Sequence, residues 1–144
     1  MKSKSPKKVI NVLYSYYPHD PRPRREIEAL IQGGYQVDLI CLRGEGQIKK
    51  ENKFGCNVYR VNLQRSRTSK FKYIQLYLSF CIRTFFLLNW LYLKNRYDAV
   101  HVHNMPDFLV FTAVIPKIFG SKIILDLHDP SPEILMTTFH KSKE

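Results

Sequence analysis

The sequence has no glycine-rich phosphate loop. Nothing in its 144 residues matches Gly-x-Gly-x-x-Gly or Gly-x-x-x-x-Gly-Lys-[Ser/Thr], so a backbone cradle for nucleotide phosphates is not expected. Nor is there a Cys-x-x-Cys pair. The three cysteines, Cys41, Cys56 and Cys81, are odd in number, which argues for reduced thiols and a cytoplasmic address. Cys41 and Cys81 lie in apolar runs and read as packing residues. No apolar segment with a small-residue cleavage site follows the first lysines, so no secretory signal is expected. No internal repeat is visible, which argues against a solenoid.

Acidic residues are scarce. Twelve Asp and Glu face 23 Lys and Arg, leaving a net charge of +11. The excess is unevenly placed: residues 1–8 hold four lysines, residues 43–72 hold nine basic residues against two acidic, and the remainder sums to zero. Blocks of this kind suit a polyanionic neighbour, whether anionic lipid, nucleic acid or a phosphorylated substrate. The bland alternative is a flexible lysine tail and a solvated loop. No known nucleic-acid module is present, so no nucleic-acid partner is expected.

The length suits one domain with a real core. We assign residues 1–8 to a basic flexible tail, 9–135 to the folded domain and 136–144 to a truncated C-terminal tail. Val9 to Tyr14 reads as a buried strand broken by Asn11, and a helix is expected from Arg24 until Gly33-Gly34. Tyr35 to Leu42 is a second strand, 43–57 a loop, and Asn57 to Leu63 a third strand near an edge. Tyr97 to Val102 and Lys122 to Leu127 are further strands, with a helix over Pro106 to Phe119 between them. Strands alternating with helices predict an α/β fold: a single Rossmann-like domain with a mostly parallel, doubly wound sheet.

Phe71 to Leu93 is long and aromatic enough to suggest a membrane span. Lys72, Gln75, Ser79 and Arg83 recur at helical spacing, however, and a central arginine costs about 2.5 to 3.5 kcal/mol on insertion. The same stripe continues into Phe86 and Trp90. An amphipathic helix packed on the sheet is therefore expected, with an aromatic end able to touch a membrane surface.

In a parallel sheet three strand ends would share one edge: Ser15 to Arg25, His103 to Asp107, and His128 to Glu133. His128 ends an apolar run and suits a general base, or a donor to a developing anion. The alternative is a histidine satisfied by Asp126 or Asp129. Arg22, Arg24 and Arg25 suit phosphate, or equally pair with Glu26 and Glu28 in a first helical turn. His101 and His103 share one face of a strand, and Asp107 offers a carboxylate. Without a third histidine or cysteine at ligand spacing no metal is expected; His101 is expected to be packed and His103 at the rim.

Four stretches together resemble the N-terminal domain of a GT-B, family-four-type retaining glycosyltransferase: Tyr17–Leu30, Gly34–Arg43, Tyr97–Asp107 and Ile123–Glu133. The resemblance implies half of a GT-B architecture, with a second domain needed to hold the nucleotide-sugar. It implies an acceptor-side half that moves a hexosyl group from a nucleoside-diphosphate sugar, with the donor as co-substrate and no other cofactor. His128 resembles the histidine lining the cleft. The loop with Tyr17, Arg22, Arg24 and Arg25 resembles the one approaching donor phosphates and acceptor, although the family's common glycine pair is missing from it. His103, Asn104, Asp107, Asp129 and Glu133 complete the expected substrate-binding set. The chain is expected to be inactive alone and to need a separate C-terminal glycosyltransferase domain. Its basic surface suits an anionic membrane or a lipid-linked acceptor, placing it in the cytoplasm and peripherally on the inner membrane face. The alternative is a non-catalytic scaffold subunit that recruits a donor-binding partner.

Overall fold

The computed structural model describes residues 6–64, 69–103 and 107–127. Asn104, His128, Asp129 and Glu133 lie outside the described residues. The element order is β1 (Lys8–Tyr16), α1 (Pro21–Gln32), β2 (Gln36–Leu42), β3 (Lys50–Lys53), β4 (Cys56–Val61), α2 (Lys70–Asn95), β5 (Ala99–His103), a 3-10 helix (Asp107–Ala113), α3 (Val114–Ile118) and β6 (Lys122–Asp126). Six strands form one sheet in the order β3-β4-β2-β1-β5-β6. All neighbours are parallel except β3, which runs antiparallel to β4. This is the expected α/β domain with a mostly parallel sheet.

β1 is apolar because it is paired on both edges and covered on both faces. Its alternating side chains feed two cores. Ile10, Val12 and Tyr14 pack under α2 and the 3-10 helix, with Phe80, Leu88, Leu91, Val100 and Leu109. Leu13 packs under α1 with Ile27, Val37, Leu39 and Val58.

The first helix starts at Pro21, three residues before the expected Arg24. Asp20 caps it, its Oδ1 accepting the Arg22 N–H at 3.3 Å, and Pro21 and Pro23 fall in the first turn, where no amide is needed. Gly34, at φ +83°, ends the connection to β2 in the left-handed region that glycine adopts without cost.

The stretch expected as loop over 43–57 contains β3. Lys-Glu-Asn-Lys has no apolar residue to betray a strand, but lysines suit a short edge strand because they discourage further pairing. Arg60 holds it. Its side chain is fully buried, Nη2 donating to Glu51 at 2.5 Å and Nη1 to the Ile48 carbonyl at 3.1 Å. The helix expected over Pro106–Phe119 is instead a 3-10 helix followed by the five-residue α3. Pro116 lacks an amide hydrogen, so an α-helix containing it is confined to a start just before it.

Two outcomes follow from this packing. Glu51→Ala strips the buried Arg60 guanidinium of its carboxylate, and a loss of about 3 kcal/mol is expected from urea unfolding. Burial also pushes the Cys41 and Cys56 thiols from 9.0, and the Tyr17 phenol from 10.0, to about 12. A raised folded-state value means the stability these groups add is complete below the unfolded values and disappears as pH climbs through the folded ones. The urea midpoint should therefore hold up to about pH 9 and fall progressively toward pH 12.

Candidate functional site

Because β1, β5 and β6 are adjacent and parallel, Tyr16, His103 and Asp126 all end on the carboxyl edge of the sheet. His101 and His103 project from the same face of β5, their ring centroids 4.3 Å apart. Across from them, Glu26 in α1 presents Oε2 at 3.8 Å from His101 Nδ1 and 3.7 Å from His103 Nε2. Asp126 closes the other side, Oδ2 lying 3.6 Å from His103 Nδ1. Asn11, the polar break in the apolar run Val9–Tyr14, reaches the group from β1, its Oδ1 3.4 Å from His103 Nε2.

His103 thus sits between two carboxylates at 1% exposure. The expected arrangement is reversed: His103 is buried and His101 is partly exposed. His103 is packed where α1, β5 and the end of β6 meet. One ligand-type atom from each of Glu26, His101, His103 and Asp126 falls within 4.8 Å of the others, the composition of a two-histidine, two-carboxylate site. Asp107 was the carboxylate expected beside the histidines; it is instead an exposed residue opening the 3-10 helix. Glu26 could not be foreseen, since no spacing rule links a residue in α1 to one in β5.

The remaining predicted residues divide. Tyr17 is fully buried in the core under α1. Only its carbonyl serves the edge, accepting Gln47 Nε2 at 3.2 Å. Arg24 folds back along α1 to Glu28 at 2.8 Å, and its guanidinium lies 5.4 Å over the Phe54 ring. That is the intrahelical pairing, and it turns Arg24 away from the edge. Arg22 and Arg25 are exposed on the first turns of α1.

A second hollow of about 470 Å³ opens on the same edge and is lined by Tyr16, His19, Arg43, Glu45, Gln47 and Gln64. Arg43 donates through Nε to the Gln47 carbonyl at 2.6 Å, and Gln47 Oε1 accepts the Gly44 amide at 2.8 Å. Gln47 carries no signal of this role in the sequence, while Arg43 and His19 lie in the stretches Gly34–Arg43 and Tyr17–Leu30. A larger hollow of about 610 Å³ extends from Lys7, Asp98 and Lys122 at the strand starts as far as His101 and Ile124. Ligands of open α/β sheets sit at the carboxyl ends, so its size does not mark the site.

A family model described as a glycosyl transferase 4-like domain matches residues 20–142. The chain belongs to this family. Among solved structures, the glycosyl transferase 4-like chain is similar to sucrose-phosphate synthase from Thermosynechococcus elongatus, with a TM-score of 0.60 and 13% identity. That match covers 85% of this chain and 33% of the synthase, so the chain spans about a third of that enzyme. It is also similar to the C-terminal domain of a hydrogenase from Pyrococcus furiosus, with a TM-score of 0.60, 15% identity, and 84% and 91% of the two chains covered. No curated protein matches it. The structural likenesses, at 13% and 15% identity, speak for the shared fold alone.

Asn11 Oδ1 lies 3.4 Å from His103 Nε2, so Asn11→Val should remove a partner from the histidine without opening a large cavity. A loss of about 1 kcal/mol is expected, read as a lower urea midpoint with an unchanged slope.

Proposed function

We propose that this domain is the acceptor-side half of a glycosyltransferase, moving a hexosyl group from a nucleoside-diphosphate sugar to an acceptor. A second, donor-binding domain would form the facing wall of the cleft, in the same polypeptide or a separate one. The observation that carries this reading is the gathering of Glu26, His103 and Asp126 at one carboxyl edge, in a chain whose residues 20–142 match the family. Asp126 precedes His128 by two positions, so the braced edge leads directly into the segment whose resemblance suggests the cleft histidine.

In this reading His128 is the catalytic residue and Asn104, Asp107, Asp129 and Glu133 contribute to substrate binding. Arg22 and Arg25, exposed at the start of α1, supply cationic donors for phosphate. Phosphate contacts and helix dipoles would stabilise the departing diphosphate, which is electrostatic catalysis. The nucleotide-sugar is a co-substrate, and the reading invokes no metal or other cofactor.

The test combines this chain with the donor-binding domain that completes it and follows radiolabelled hexose from nucleoside-diphosphate donors into a lipid extract. Transfer should need both domains, and His128→Ala should lower it by roughly 100-fold. Unchanged transfer by the variant would overturn the catalytic assignment and favour a non-catalytic scaffold that recruits the donor-binding partner.

A further inference from the structure

The second helix has two apolar faces, and only one is used inside the domain. Tyr77, Phe80, Leu88, Leu91 and Tyr92 are buried against the sheet. Phe71, Ile74, Leu78, Ile82, Phe86, Trp90 and Leu93 are all more than half exposed. At about 100° per residue these seven fall within roughly 160° of one another, turned away from the buried face. They form a continuous ridge spanning roughly 33 Å at 1.5 Å per residue. An exposed apolar strip of that extent marks an interaction surface.

Charge identifies what the ridge meets. From Asn52 to Tyr97 there is no Asp or Glu, while the same stretch holds nine Lys and Arg. Three of them, Lys72, Arg83 and Lys94, follow one another along a single flank of the ridge by the same helical spacing, and all three are exposed. Lys94 Nζ stands 3.9 Å from the Trp90 ring centroid, a cation and an indole side by side as at a membrane headgroup level.

Length and composition alone would let Phe71–Asn95 cross a bilayer. Crossing would pull Phe80, Leu88 and Leu91 out of the core beneath β1, so the helix stays on the sheet and offers only its outer face. A soluble protein partner would have to match seven apolar side chains and a carboxylate-free cationic flank.

We propose that the outer face of α2 seats this domain on an anionic bilayer, the helix lying in the plane of the interface. The ridge enters the boundary between headgroups and acyl chains, and Lys72, Arg83 and Lys94 meet lipid phosphates. The proposal concerns binding alone and stands whether or not the transferase reading holds.

Trp90 is the only tryptophan in the chain, so its fluorescence reports the ridge without labelling. The full chain is titrated with vesicles of phosphatidylcholine, with and without one third phosphatidylglycerol, and binding is checked by co-sedimentation. We expect a blue shift and sedimentation with the anionic vesicles, and weakening of both as salt is raised. The double variant Ile82→Glu/Phe86→Glu should bind at least about tenfold more weakly while keeping the wild-type circular dichroism and melting midpoint, since neither side chain enters the core. No binding to anionic vesicles would overturn the proposal, as would equal binding by the variant. A concentration-dependent dimer that the variant abolishes, without vesicle binding, would overturn it in favour of a second copy as the occupant.

Discussion

The structure depends on β1 being hydrogen-bonded on both edges to parallel strands while covered on both faces. Such a strand has no solvent-facing side, so each of its residues must be apolar or find a dedicated polar partner. Asn11 is the instructive case: it sits in register with His101 on β5, and its Oδ1 reaches His103 Nε2 at 3.4 Å. Parallel pairing then forces the neighbouring strands to finish together, and that brings Tyr16, His103 and Asp126 to one rim.

The rim is a braced structure. His103 is flanked by Glu26 from the helix after β1 and by Asp126 from the end of β6, so three segments distant in sequence are tied at one imidazole. Beside it, the 43–47 turn is stitched to the Tyr17 carbonyl through Gln47, extending the ordered edge to the other side of β1. Tyr17 and His103, both buried, are part of the packing that holds this edge together.

Much of this was legible in one dimension. The apolar runs of β1 and β2, the Gly33-Gly34 stop and the 3.6-residue pattern of α2 are local, and each appeared within a residue or two of its expected place. Of the expected polar stripe Lys72, Gln75, Ser79 and Arg83, all but the half-buried Ser79 are exposed, as are Phe86 and Trp90. The rest of the apolar ridge was not legible, because Phe71, Ile74, Leu78 and Ile82 look like core residues until it is known that the sheet occupies only one side of the helix. β3 escaped notice for the opposite reason, since its four polar residues become a strand only by pairing with β4.

Residue order alone therefore determined the class of fold and the direction of the sheet, because periodicity and turn chemistry act over a few neighbouring residues. Family membership followed from the same short motifs. Three-dimensional packing alone decided that Glu26 and Asp126 would be the companions of the histidines, that Arg24 would turn back to Glu28, and that α2 would keep one apolar face uncovered. Those outcomes hang on distances between residues far apart in the chain, and no local pattern encodes such distances.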